Sequence, residues 1–195
     1  KLPNQYVVQE GFWTWCLNMQ AWSEFGGEDE NGVALATVSR EDLSSGQSFR
    51  HQAAVAFVLR DLSAQVLARA TLEILPHRTT VAVYDADERL LGSFRQTLGS
   101  AVTDVVQDLV LGRPVVNQYE ILDAEGREVG RFTSSQGITP NIDVAGEGQN
   151  AAHLSRPALD WGGDTWTVQN NPTSRLDPRV LTFIAVYQSY VNNGR

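Results

Sequence analysis

The segment Val83-Tyr84-Asp85-Ala86-Asp87-Glu88-Arg89-Leu90-Leu91-Gly92-Ser93-Phe94 decides how this chain is read, because it occurs twice. Its second copy is Ile121-Leu122-Asp123-Ala124-Glu125-Gly126-Arg127-Glu128-Val129-Gly130-Arg131-Phe132. Aspartate, alanine, an acid, arginine, glycine and phenylalanine recur in register at a spacing of 38 residues, and a fixed period marks one structural unit used again. Each copy reads as strand, turn, strand. Asp85 and Asp123 can accept hydrogen bonds from backbone N–H groups two residues on, Gly126 can adopt positive φ, and the flanks alternate apolar and polar residues. The unit is therefore a β-hairpin.

Weaker copies lie upstream, in Phe57 to Ala68 around Asp61 and in Glu28 to Ala36 around Asp29, where Ala68 and Ala36 replace the glycine. Four hairpins imply at least eight strands. So many twisted strands in one sheet leave edges exposed unless the sheet closes or folds over itself, so a barrel or a sandwich is expected, and a barrel is preferred. Tyr6-Val7-Val8, Phe12 to Leu17 and Asp164 to Val168 read as further strands. Gly137 to Pro157 reads as turn-rich.

Two segments break the β pattern. Residues 100–111 place Val102, Val105, Val106, Leu109 and Val110 on one face before Gly112 and Pro114, which predicts an amphipathic helix on the outside. The second starts at Asp177-Pro178 and runs through Val180 to Val191 before Asn192-Asn193-Gly194. An aspartate cap, a proline in the first turn and a glycine stop punctuate a helix. A strand is the competing reading, since Val, Ile, Phe and Tyr favour β structure. As a helix the run is apolar around its whole circumference and, at about 20 Å, too short to span a bilayer. It belongs inside a core.

The 195 residues are expected to form one domain, residues 1–195, with 42% hydrophobic and 19% charged residues in ordinary globular proportion. The formal charge is −8, and Lys1 is the only lysine beside fourteen arginines. That balance argues against nucleic acid and against broad attraction to anionic membranes, while leaving room for a local arginine pocket. The single cysteine, Cys16, excludes an intrachain disulfide and a thiolate metal cluster. No stretch is long and apolar enough for a transmembrane helix, so the expected place is the cytoplasm or the membrane periphery. The lack of an initiator methionine leaves room for a removed upstream segment.

His51, His77 and His153 lack metal-ligand spacing. Gly146-Glu147-Gly148-Gln149-Asn150-Ala151 fits a dinucleotide fingerprint, but without the parallel strand and helix that such a loop needs. Asp29, Asn31 and Gly32 match part of a calcium loop, whereas Gly27 and Val38 stand where its first and last carboxylates belong. No nucleophile elbow occurs, and Cys16 between Trp15 and Leu17 reads as a buried thiol. Trp13 and Trp15 share a strand face and could form a stacking platform, with core packing as the simpler use; Trp22, Trp161 and Trp166 complete the set. Gly11-Phe12-Trp13 also fits the opening of lipocalin-like barrels, which would imply a carrier or small-molecule cyclase with an apolar cavity. In such barrels the helix packs outside and a strand follows it.

Asp61, Asp85 with Gly92, Asp123 with Gly126 and Gly130, and the stretch from Trp166-Thr167-Val168 through Asp177, Arg179, Leu181, Ile184 and Ala185 carry a family likeness. Over roughly residues 25–191 the chain resembles the tubby-like C-terminal superfamily, in its scramblase and LURP-one-related branches. The resemblance implies a closed antiparallel barrel of about twelve strands around the C-terminal helix, and either phosphoinositide binding at a basic pocket or lipid handling with calcium. The chain lacks the lysine-rich pocket motif, the proline-rich head and the cysteine cluster of those branches, and Asn170 to Leu176 lacks acidic calcium-site character. The expectation is a non-enzymatic binding or scaffold domain without a cofactor, taking a lipid headgroup or a protein on its outer surface.

Overall fold

The computed structural model describes residues 2–11, 24–42, 55–75, 78–97, 116–135, 141–146, 150–157 and 164–193. In chain order these hold β1 (Gln5–Glu10), β2 (Glu24–Asp29), β3 (Ala34–Asp42), β4 (Val55–Asp61), β5 (Val66–Leu75), β6 (Arg78–Asp85), β7 (Leu90–Gln96), β8 (Val116–Asp123), β9 (Glu128–Ser135), β10 (Asn141–Ala145), β11 (Asn150–Ser155) and β12 (Thr165–Asn170). One helix follows, α1 (Pro178–Asn193). Every strand pairs antiparallel with its neighbour in sequence, and β1 closes on β12 through Tyr6↔Val168 and Val8↔Trp166. The result is a closed twelve-stranded barrel, which leaves no sheet edge.

Two-residue alternation selects the lumen side: Tyr6 and Val8 on β1, Val81 and Val83 on β6, Tyr119 and Ile121 on β8, Ile142 and Val144 on β10. Into this lumen runs α1, buried at ten consecutive residues from Val180 to Ser189. The punctuation behaves as expected: Asp177 Oδ1 accepts the N–H of Arg179 at 2.9 Å, and Val180 N–H reaches the Asp177 carbonyl at 2.9 Å. Phe94 packs edge-on to Tyr187 at 5.5 Å, and Phe57 to Tyr190 at 5.4 Å. The strand alternative for this segment is thereby settled in favour of the helix.

Polar atoms on α1 fix its depth and rotation. Trp166 Nε1 donates to Ser189 Oγ at 2.9 Å, Ser134 Oγ donates to Gln188 Oε1 at 2.5 Å, and the Tyr119 and Tyr187 hydroxyls meet at 3.1 Å. An unpaired group here would lose about 1–3 kcal/mol of solvation, so these contacts penalise any sliding of the helix.

The four hairpins share one turn. Asp29, Asp61, Asp85 and Asp123 each accept on Oδ1 from the N–H groups two and four residues on, at 2.8–3.0 Å. Positive φ falls three residues after each aspartate, at Gly32, Ala64, Glu88 and Gly126. Beyond each turn the ladder shifts by one residue, between Gly27/Glu28, Leu59/Arg60, Val83/Tyr84 and Ile121/Leu122. The unmatched residues on the returning strands are Leu35, Leu67, Leu91 and Val129, six after each aspartate. This is a three-residue loop with a bulge. The next residue is small in every case: Ala36, Ala68, Gly92 or Gly130. A Cβ on Gly92 would lie 2.7 Å from the Leu122 carbonyl oxygen of β8 and 3.5 Å from Val180, so the close approach of the neighbouring strand's backbone dictates the glycine there.

One expectation needs revision and two fall outside the described residues. Gly137 to Pro157, read as turn-rich, contains the β10–β11 hairpin, whose short strands bury Ile142, Val144, Ala152 and Leu154. The helix expected at residues 100–111 and the strand at Phe12 to Leu17 lie outside the described residues.

Because the lumen is filled by the helix, Ile184→Ala should cost about 2–5 kcal/mol and Ile184→Val about 0.5–1.5 kcal/mol in urea unfolding. Gly92→Ala should cost about 1–3 kcal/mol from overpacking, whereas Gly26→Ala, where nothing lies within 4 Å, should be far milder. The turns also set an acid limb. Backbone donation from Val33 and Asn31 holds the Asp29 carboxyl below its ordinary pKa. At Asp123 desolvation acts upward but is outweighed by the Arg127 N–H and guanidinium and the Glu125 N–H. Folded values below the unfolded value of about 3.9 mean stability is full above that pH and declines as pH falls through the folded pKa values. Carboxyl-carbon NMR should find both groups titrating below about pH 3.9, and Asp123→Asn, which keeps the acceptor oxygen, should flatten the acid limb.

Candidate functional site

Alternate strands run in one direction, so the four aspartate turns, the β10–β11 connection and the start of α1 share one end of the barrel. At that rim Arg179 folds back on the residue that caps its own helix: Nε donates to Asp177 Oδ1 at 3.0 Å and Nη2 to Oδ2 at 2.7 Å. Its Nη1 crosses to the Leu67 carbonyl at 3.2 Å, tying the helix start to the β4–β5 bulge. The bonded Asp177 carboxylate raises the Arg179 pKa further, which keeps the guanidinium charged. Below it, the Tyr6 hydroxyl donates to the Pro178 carbonyl at 2.7 Å and meets Thr182 Oγ1 at 2.9 Å. Burial pushes the Tyr6 phenol well above its ordinary range, so it remains a neutral donor.

Between this corner and the neighbouring turns lies a cleft of about 590 Å³. Leu2, Leu35, Leu67 and Pro178 supply its apolar surface, and Asp61, Asp177 and Arg179 its polar surface. Leu35 and Leu67 reach it because they are the extra residues of two bulges. Had the ladders continued unbroken, strict alternation would have assigned them to the outer wall. Asp61 is held by its turn, accepting from Ser63 and Gln65 at 2.8 and 2.9 Å.

On the outer wall the described arginines are matched to carboxylates. Arg60 and Arg69 share Glu41, and Arg78 and Arg95 share Glu120. Arg127 bonds Asp123 and Glu125, and Arg131 bonds Glu128. At the opposite end Arg156 donates to Asp164 at 2.6 Å and stacks over Trp166 at 5.3 Å, while the backbone N–H of Glu10 donates to the Asp164 carbonyl at 2.8 Å. That group ties β1 and β11 to β12.

The residues singled out from the sequence are dispersed. His153 pairs with Asp143 at 2.7 Å across the β10–β11 hairpin, and His51 and His77 lie outside the described residues. Among the described residues no group of three or more His, Cys, Asp or Glu is placed to hold a metal ion. Gly146 and Ala151 flank an antiparallel connection in which Ala145 pairs with Asn150, not the strand-to-helix loop that cradles phosphates. Asp29, Asn31 and Gly32 form the β2–β3 turn, with Asp29 Oδ1 directed at backbone N–H groups. Trp166 is a core residue bonded to the helix. Trp13, Trp15, Cys16, Trp22 and Trp161 lie outside the described residues. The lumen that a lipocalin-like carrier would use is occupied by α1. Among the described residues, no helix is long and apolar enough to cross a membrane. Sequence reasoning missed the cleft; its one local signal is the apolar residue six positions after Asp29 and Asp61.

No family model and no curated protein matches the chain. Among solved structures, the X-ray structure of a protein from Arabidopsis thaliana is similar to it at 17% identity, over 96% of this chain and 91% of that one, with a TM-score of 0.50. At that identity the likeness concerns the fold alone.

Proposed function

We propose that this chain is a non-enzymatic binding domain that takes its partner on the outside of the barrel, at the rim cleft beside the start of α1. The observation that carries the reading is the burial of α1 from Val180 to Ser189, which fills the lumen along those residues, while a concave, partly apolar surface stands at the rim. The polar groups there already hold structure: Asp61 its turn, Asp177 the helix cap, Arg179 the junction with Leu67. Fixed side chains of this kind suit recognition without induced change. The tubby-like likeness is supported by a barrel that ends in a helix threaded back through its own lumen, and it favours a binding role over catalysis. Within that likeness a lipid headgroup is the less favoured ligand, because the arginines that would meet phosphate on the wall are paired with Glu41 and Glu120.

Titration of the full chain with dilute isopropanol, followed by amide NMR, tests the placement. Shifts should concentrate at Leu35, Leu67 and Arg179, and shifts centred on Phe183 and Ile184 would overturn the rim in favour of an internal cavity. Sedimentation with phosphatidylcholine vesicles, with and without a phosphoinositide, should give the same unbound fraction in both. Selective retention by the phosphoinositide would move the site to an anion-binding wall.

A further inference from the structure

Resting on the rim reading, we infer that the cleft docks a basic, leucine-bearing segment of a partner protein. Val33 and Leu62 are 58% and 67% exposed. They stand on the β2–β3 and β4–β5 turns, whose returning strands bring Leu35 and Leu67 to the cleft. Exposed apolar side chains on these two turns add apolar surface at the same end of the barrel as the cleft.

Charge selects the partner. The turns Glu28–Val33, Asp61–Val66 and Asp85–Leu90 carry seven carboxylates against the single arginine Arg89. Arg179 does not offset them, because its guanidinium is bidentate to Asp177. The carboxylates and the cleft share one end of the barrel, where a Debye length of about 8–10 Å lets their fields overlap. Such a surface repels an anionic bilayer and attracts lysine or arginine. The occupant that satisfies floor and rim together carries apolar side chains for Leu35 and Leu67 and cationic ones for Asp61 and the neighbouring turns. A purely hydrophobic ligand would leave the rim charges unmet, and a phosphate would face them.

The probe is a short synthetic peptide alternating leucine with lysine, compared with its leucine–glutamate counterpart, each titrated into the full chain by amide NMR. The lysine peptide should shift Leu35, Leu67 and Arg179, and its affinity should fall with added salt. It should also fall about tenfold, equivalent to about 1.4 kcal/mol, in the double variant Asp61→Asn with Glu30→Gln. Asp61→Asn keeps the Oδ1 acceptor of its turn, and an unchanged amide spectrum of the free variant verifies the fold. Equal binding of both peptides, affinity indifferent to the double variant, or retention on phosphatidylserine vesicles would overturn the inference. If isopropanol still maps to the cleft while the lysine peptide fails, the partner chemistry is wrong and the site stands. If neither maps there, the site itself is wrong.

Discussion

Everything in this molecule depends on the burial of one helix inside a sheet closed around it. A helix apolar on all sides has no stable place in water, and a twelve-stranded barrel has a lumen too wide for its own side chains to fill. Each element answers the other's deficit. Because the helix enters at one end, that end needs a cap for its first N–H groups and neighbours small enough to let it pass. Asp177 supplies the cap, and Gly92 leaves room where Val180 of the helix packs, 3.5 Å from where a Cβ would stand. The polar pairs from Trp166 to Ser189 and from Ser134 to Gln188 then turn a hydrophobic plug into one with a defined depth.

The same constraint explains the repeated turns. Each loop with positive φ at its third residue after aspartate is followed, three residues further on, by a bulge in the returning strand, and a bulge strengthens the local twist that a barrel needs for closure. It also moves one apolar residue per hairpin out of strict alternation, at Leu35, Leu67, Leu91 and Val129. Two of these become the floor of the cleft. The cleft is thus a by-product of closing the barrel, at the point where helix entry and hairpin bulges meet.

How much of this was legible depended on whether the cause was local. The Asp85 and Asp123 repeat is visible because side chain and backbone N–H lie within five residues, and the same geometry at Asp29 and Asp61 follows from the same contacts. The terminal helix is visible because Asp177, Pro178 and Gly194 punctuate it. The β10–β11 hairpin was hidden, since its strands are short and its inward residues include Ala152, which carries little hydrophobic signal. The cleft was hidden for a different reason. Leu2, Leu35, Leu67 and Arg179 are brought together by closure between distant strands, and no window of sequence contains them all.

What the fold demands of each turn is limited, and the remainder is where specificity can reside. The four turns read Asp-Glu-Asn-Gly-Val, Asp-Leu-Ser-Ala-Gln, Asp-Ala-Asp-Glu-Arg and Asp-Ala-Glu-Gly-Arg. Only the aspartate and the positive φ three residues later are common to all. Even the second demand is met without glycine at Ala64 and Glu88, with φ of 63° and 62°, at a conformational cost of about 1–2 kcal/mol each. Neighbouring strands paired on both sides hold those residues in place regardless, so the turn tolerates a side chain that its backbone alone would disfavour. The side chains between the aspartate and that position, Leu62 among them, take no part in the hydrogen bonds the four turns share. The turn tips are therefore the part of this barrel that folding leaves open to recognition.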